Sequence, residues 1–121
     1  MDKKEDLRKR TKEYASAIIR LYCSLPQNRV EVQVISKQLL RSGTSVAANY
    51  REASRARSDA EFISKVETCS QEADESSLWL ELLEENCGIK SDILIMLTKE
   101  TNELISIFVT MVKNVKKRIN E

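Results

Sequence analysis

The sequence has 121 residues but no histidine, only two glycines, one proline and three cysteines. Without histidine, the chain lacks the usual nitrogen ligand of zinc and the usual base for activating a serine or cysteine nucleophile. Such scarce glycine and proline argue against a turn-rich β architecture and favour long, uninterrupted helices. The sequence therefore predicts an all-α protein that is not an enzyme and has no metal, cofactor or small-molecule substrate.

The cysteines and the hydropathy pattern indicate a cellular compartment. Three cysteines with no C-x-x-C spacing argue against a disulfide framework, so Cys23, Cys69 and Cys87 are predicted to be reduced, core-facing residues. The longest apolar run, residues 93–97, is far shorter than a membrane span. The first six residues are mostly charged and contain no apolar segment typical of a secretory signal. These features predict a soluble cytoplasmic protein that makes no contact with a membrane.

Apolar residues recur at helical spacing in four segments, separated by short breaks. Pro26 ends the first segment, and Ser58 with Glu61 forms a capping box at the start of the third. Gly88 suits the left-handed position after a helix, and Ser91 caps the last segment. The predicted helices span about residues 3–25, 30–56, 59–87 and 92–119. Four helices with short connections predict one domain, residues 1–121, folded as an antiparallel up-and-down four-helix bundle.

The second predicted helix has three different faces. Its apolar face carries Ile35, Leu39, Val46, Tyr50 and Ala53. A strip of small residues is predicted to let another helix approach closely, because a glycine inside a helix costs about 1 kcal/mol relative to alanine. This strip consists of Ser36, Gly43, Ala47 and Ser54. The third face is a basic line whose members lie within roughly 40° of Lys37 on either side and consist of Lys37, Arg41, Arg51 and Arg55.

The basic line has two interpretations. Residues 29–57 hold six cations and two anions, whereas residues 58–90 hold two cations and nine anions. The cations can therefore pair with acids of the third helix such as Glu72 or Glu75, or they can contact a row of phosphates. A second basic cluster in the last turns of the fourth helix consists of Lys113, Lys116 and Lys117. Tyr50 is predicted to face the core, so nucleic acid would be contacted through its backbone or shape rather than by base stacking.

Two groups of apolar residues exceed what a bundle interior needs. One group, on the third helix, consists of Leu78, Trp79 and Leu82; the other, on the fourth helix, consists of Leu94, Ile105, Val109 and Val112. Either the two helices bury unusually wide faces, or these residues form the interface of a homo-oligomer, with Trp79 as its anchor.

Asn49 and Glu52 flank the apolar face of the second helix. Carboxylates on a bundle can hold metals, but the known di-iron arrangement uses Glu-x-x-His, which this chain lacks. Asn49 and Glu52 are therefore interpreted as structural hydrogen-bonding groups that cap or cross-link helices.

Three segments resemble one known family. Residues 39–53, LLRSGTSVAANYREA, resemble the hallmark helix of the small bacterial four-helix-bundle family that includes the 23S rRNA intervening-sequence proteins. Residues 59–65, DAEFISK, are similar to the start of that family's third helix, and residues 72–80, EADESSLWL, are similar to its later acidic segment. The resemblance extends from the first predicted helix to the fourth.

The resemblance implies an up-and-down four-helix bundle that assembles into a ring-like homopentamer. Some members of the family are encoded in insertions within the 23S rRNA gene, and a related accessory protein of diversity-generating retroelements associates with a reverse transcriptase. No catalytic residues are established for the family, so Arg41, Asn49 and Glu52 match its motif without an implied role. We therefore expect a homo-oligomer that contacts structured RNA or a nucleoprotein; the alternative is a protein–protein adaptor with no nucleic-acid role.

Overall fold

A computed structural model describes residues 3–120 of the chain, with side chains described from residue 6 onward, and contains four α-helices. They are α1 (Lys3–Ser24), α2 (Val30–Ala53), α3 (Asp59–Glu85) and α4 (Asp92–Ile119). Consecutive helices pack against each other, and α1 and α4 make the smallest interface. This arrangement confirms the predicted all-α, up-and-down four-helix bundle.

The ends of the helices follow local signals in the sequence. The Ser58 hydroxyl accepts a hydrogen bond from the Glu61 N–H at 3.1 Å, and the Glu61 carboxylate accepts one from the Arg57 N–H at 3.2 Å. Gly88 adopts a left-handed conformation, φ 69°, in the turn that follows α3. The predicted bounds agree with the structure to within about two residues, except that α2 ends three residues early, at Ala53.

The predicted apolar faces of α1, α2 and α3 are largely the buried ones. The α1 stripe predicted from the helical spacing is buried along its whole length and consists of Leu7, Thr11, Tyr14, Ile18, Leu21 and Leu25. The predicted α3 stripe is also buried and consists of Phe62, Val66, Cys69, Ala73, Leu80 and Cys87, with Ser76 rather than Ser77 completing it. On α2, Leu39, Val46, Tyr50 and Ala53 are buried, whereas Ile35 is half-buried. Because these stripes were spaced at the helical period, the inward side of three helices was readable from the sequence.

The inward side of α4 differs from the prediction. The helical spacing predicts a core stripe on α4, beside the stripe assigned to an oligomer interface, that consists of Ile93, Leu97, Leu104, Phe108, Met111, Val115 and Ile119. Leu94 and Val112 of the interface stripe are buried in the core, whereas Ile119 of the core stripe is 52% exposed. The two apolar stripes of α4 are adjacent, and the edge that they share points into the bundle. The buried face consists of Leu94, Leu97, Thr101, Leu104, Phe108 and Val112. The sequence prediction was wrong here because two neighbouring stripes do not reveal which of them the other helices cover.

Gly43 lies where α1 and α2 pack together. A Cβ atom built on Gly43 would lie 2.8 Å from Ile18 Cγ1 and 3.0 Å from Ile18 Cγ2. The Ile18 side chain is completely buried, and β-branched side chains have little rotational freedom in a helix. The glycine therefore provides the space that the isoleucine of α1 occupies.

A layer of four buried hydroxyl groups crosses the bundle, with one residue from each helix. The Tyr14 hydroxyl lies 2.6 Å from Thr101 Oγ1, and Ser42 Oγ lies 2.7 Å from Ser76 Oγ. Burial raises the pKa of the Tyr14 phenol. Thr101 and Ser76 donate to backbone carbonyl oxygens of their own helices, at 2.6 and 2.9 Å. We call these residues, Tyr14, Ser42, Ser76 and Thr101, the hydroxyl layer.

All three cysteines are free, but only two of them are buried. Burial raises the pKa of the Cys69 thiol to about 12, and its Sγ lies 3.6 Å from the Val46 carbonyl oxygen. Cys23 is exposed, so its predicted core position was wrong: it lies about 200° around α1 from Leu21, which is buried. Over residues 3–120, each helix is too short or too polar to cross a bilayer.

Candidate nucleic-acid interface

The four cations of the basic line differ in their ion pairs. Arg41 contacts two carboxylates of α3, with Nη1 lying 3.2 Å from Glu72 Oε2 and Nη2 hydrogen-bonded to Glu75. Arg41 is therefore engaged within the bundle, in the way that the first interpretation of the basic line proposed. In the part of the chain that the structure describes, Lys37, Arg51 and Arg55 have no carboxylate within ion-pair distance.

Arg51 and Arg55 line a groove at the end of the bundle where α1 begins, α2 ends and α3 begins. The groove has a volume of about 850 Å³. Its floor is formed by Ala15, Ala47 and Ala48. Five cations contribute to its lining: Arg8, Lys12, Arg51, Arg55 and Arg57. We call this feature the basic groove.

The two acids of the basic groove have partners of their own. Glu52 accepts a hydrogen bond from Lys65 Nζ at 3.2 Å, and Glu61 accepts one from the backbone of Arg57. Of the side chains described, from residue 6 to residue 120, no carboxylate forms an ion pair with Lys12, Arg55 or Arg57. The lining of the groove therefore carries more cations than carboxylates, as an anion site requires.

The basic cluster at the end of α4 lies at the same end of the bundle. Lys113, Lys116 and Lys117 are exposed. Lys116 Nζ lies 3.5 Å from Glu67 Oε2, whereas Lys113 and Lys117 have no ion-pair partner among the residues that the structure describes. The neighbouring Arg118 contacts Asp59 at 2.7 Å, which fixes the last turn of α4 beside the first turn of α3.

Sequence reasoning missed Arg8, Lys12 and Arg57 as members of the groove. Arg8 and Lys12 lie on α1, and nothing in their spacing relates them to the arginines of α2. Arg57 belongs to the cation-rich run that also contains Arg51 and Arg55, so its proximity to them was a signal in the sequence. Only the packing of α1 against α2 places all three in one groove.

The two polar residues of the family motif make structural contacts. Asn49 Nδ2 donates to the Ser45 carbonyl oxygen at 2.9 Å, so this amide bonds within its own helix. Glu52 links α2 to α3 through its contact with Lys65. Asn49 therefore does not cross-link helices, whereas Glu52 does.

The residues assigned to an oligomer interface occupy three different environments. Leu94 and Val112 are buried in the core and are unavailable to another molecule. Trp79 is half-buried and packs on the core, and Leu82 and Ile105 are also half-buried. Leu78 is 46% exposed and Val109 is 53% exposed. Val109, with Ile105, lines a groove between α3 and α4 that reaches Asp74, one helical turn before Leu78.

The aromatic residues near the basic groove point away from it. Tyr50 is completely buried and its ring stacks on that of Phe108, with centroids 6.2 Å apart. Among the described residues that line the groove, none is aromatic. The groove can therefore contact phosphates and sugars but has no platform for stacking a base.

The sequence matches one protein-family model over most of its length. The family model described as 23S rRNA-intervening sequence protein matches residues 3–110. The chain belongs to the 23S rRNA-intervening sequence protein family. Every residue that lines the basic groove falls within the matched part, whereas the lysines from Lys113 onward fall beyond it.

One solved structure extends the comparison within the family. It is the crystal structure of a protein of unknown function, from the S23 ribosomal protein family, of Bacteroides thetaiotaomicron VPI-5482. The two chains share 37% sequence identity with a TM-score of 0.79, over 88% of this chain and 97% of the other. No protein of curated function is significantly similar to this chain. Family membership thus identifies the fold and leaves the function to be argued from the surface.

Proposed function

We propose that this family member is a non-enzymatic, homo-oligomeric bundle that contacts RNA, alone or within a nucleoprotein, through the basic face of α2. The observation that carries the proposal is the pair Arg51 and Arg55, exposed cations without ion-pair partners among the described residues. Guanidinium groups form bidentate, charge-assisted hydrogen bonds with phosphates, and such contacts supply most of the affinity for nucleic acid. Lys113 and Lys117, at the same end of the bundle, supply further exposed cations.

The proposal includes assembly into a homopentamer in the cytoplasm. Assembly is supported by the resemblance to the family and by Leu78 and Val109, large apolar side chains exposed on neighbouring helices. The cytoplasm is supported by three free thiols, since a reducing compartment keeps cysteines in this form.

The experiment that tests RNA contact is light scattering coupled to size exclusion, with and without a structured fragment of 23S rRNA, at 50 and 500 mM salt. We expect a complex at about 50 mM salt that dissociates at about 500 mM, because counterion release dominates phosphate binding. If the wild-type protein forms no complex at low salt, the proposed function is wrong. A homo-oligomer that does not bind RNA would favour the alternative of a protein–protein adaptor.

The double variant Arg51→Glu/Arg55→Glu is expected to weaken RNA binding on the order of 100-fold at low salt, because two phosphate contacts become repulsive. Fluorescence anisotropy with labelled RNA measures the change. The matched control is Arg20→Glu/Lys99→Glu, which alters net charge equally but lies on exposed positions between α1 and α4, away from the basic groove. Equal losses in both variants would show that overall charge alone attracts the RNA.

The substitution Val109→Glu is expected to dissociate the oligomer, because it places a charge in the centre of an apolar contact. Multi-angle light scattering would then give the mass of a monomer. Thr110→Glu is the control, since this neighbouring residue is also exposed but points to a different side of α4. If Val109→Glu leaves the mass unchanged, the groove between α3 and α4 is not the interface.

A further inference from the structure

The basic groove has walls from three parts of the chain that are distant in sequence. Lys12 projects from α1, Arg51 from the last turn of α2, and Arg57 from the connection to α3. All three are exposed and have no ion-pair partner among the described side chains. An anion inside the groove would therefore meet cations from three different segments of the chain, which a single helix face cannot provide.

The groove is concave because its floor consists of methyl side chains. Ala15 of α1 and Ala47 and Ala48 of α2 leave open the space between the surrounding long side chains. The groove is open to solvent and has a volume of about 850 Å³. A short piece of one polynucleotide strand is of this scale, whereas a duplex presents its phosphates on a wide convex surface.

We infer that the basic groove binds the phosphodiester backbone of a single RNA strand, with Lys12, Arg51, Arg55 and Arg57 contacting successive phosphates. This inference rests on the proposed RNA contact and narrows it to unpaired segments, such as the loops or ends of a structured RNA. Grooves that bind single strands without sequence preference combine positive walls with a path for the backbone. Here the aromatic platform is missing from the described lining, so the groove contacts phosphates and sugars and stacks no base.

A substitution that fills the groove without changing its charge tests the inference. Ala48→Leu places a larger side chain on the floor at an exposed helical position, and leucine is a good helix former. We expect it to lower the affinity for a labelled uridine dodecamer at least tenfold, while thermal unfolding monitored by circular dichroism stays unchanged. The matched control is Ala60→Leu, an exposed alanine of α3 that does not line the groove, with an affinity within twofold of wild type.

The salt dependence gives a second measurement. For four phosphate contacts on a single strand, the slope of log affinity against log salt is expected to be about −3, and Lys12→Gln should reduce its magnitude by about 1. Adenosine and uridine dodecamers should bind with affinities within about threefold of each other, because no base is read.

The outcomes separate this inference from the function on which it rests. If the wild-type protein binds no RNA, the proposed function itself fails. If it binds RNA and Ala48→Leu binds equally well, the RNA contact stands but lies on the open face of α2, and the groove inference is wrong. A twelve-base-pair RNA duplex that binds more tightly than the uridine dodecamer would also overturn the assignment to a single strand.

Discussion

The substitution Gly43→Leu is expected to prevent stable folding of the bundle. Even a methyl group at this position would lie 2.8 Å from Ile18 Cγ1, and the isoleucine is fully buried. Overpacking of this kind costs about 1–3 kcal/mol for added methylene groups, and a leucine adds four carbons. The free energy of unfolding of a domain is only about 5–15 kcal/mol. We expect this substitution to lower it by more than about 4 kcal/mol, as measured by urea unfolding.

The smaller substitution Gly43→Ala allows a test of the mechanism. In a solvent-exposed helix this change stabilises by about 1 kcal/mol, whereas here we expect a net loss of about 1–2 kcal/mol, because overpacking exceeds the helix-propensity gain. In the background of Ile18→Ala, which removes the clashing atoms, the same change should become stabilising. If Gly43→Ala stabilises the wild-type protein, Ile18 adjusts its position and the close contact is not the reason for the glycine.

The substitution Ser76→Ala is expected to destabilise the bundle by about 2 kcal/mol, because it leaves the buried hydroxyl of Ser42 without its partner on α3. The hydrogen bond between Tyr14 and Thr101 is not affected by this change. The loss would appear as a lower midpoint of urea unfolding with an unchanged slope. This change is large relative to a typical surface substitution, since all members of the hydroxyl layer are buried.

Two comparisons distinguish the hydroxyl layer from ordinary packing. The double variant Ser42→Ala/Ser76→Ala should be less destabilised than the sum of its single variants, because removing both partners leaves neither unsatisfied. Ser77→Ala, at the neighbouring half-buried position of α3, should change stability by less than about 0.5 kcal/mol. Additive single-variant effects would show that the two serines act independently and that no layer exists.

The sequence predicted the parts of the fold that depend on local or periodic information. The stripe of α1 could be read because all its members recur at the helical period, and Ser58 could be recognised as a cap because its partner lies three residues away. In α4, by contrast, two adjacent stripes left the orientation undetermined, and Leu94 and Val112 were assigned outward although they are buried. The longer motifs that resemble a known family predicted the same four-helix bundle.

For the candidate site, too, the sequence predicted some features and only the tertiary structure decided others. The sequence predicted that Lys37, Arg41, Arg51 and Arg55 share one side of a helix, because a helix is regular and the angle between residues follows from their numbers. The structure places the first three on α2, whereas Arg55 lies beyond the end of α2 at Ala53. The sequence left open which of them pair with acids, since Arg41 finds Glu72 and Glu75 only through the packing of α2 against α3.

The sequence by itself determined four amphipathic helices, their caps and the face on which each carries its charge, because these properties depend on neighbours within a few residues. Tertiary structure alone decided the rotation of α4, the hydroxyl layer and the basic groove that joins Lys12 to Arg57. Each of these needs the relative position of different helices, which is set by side-chain volumes such as Ile18 against Gly43 rather than by any repeat along the chain.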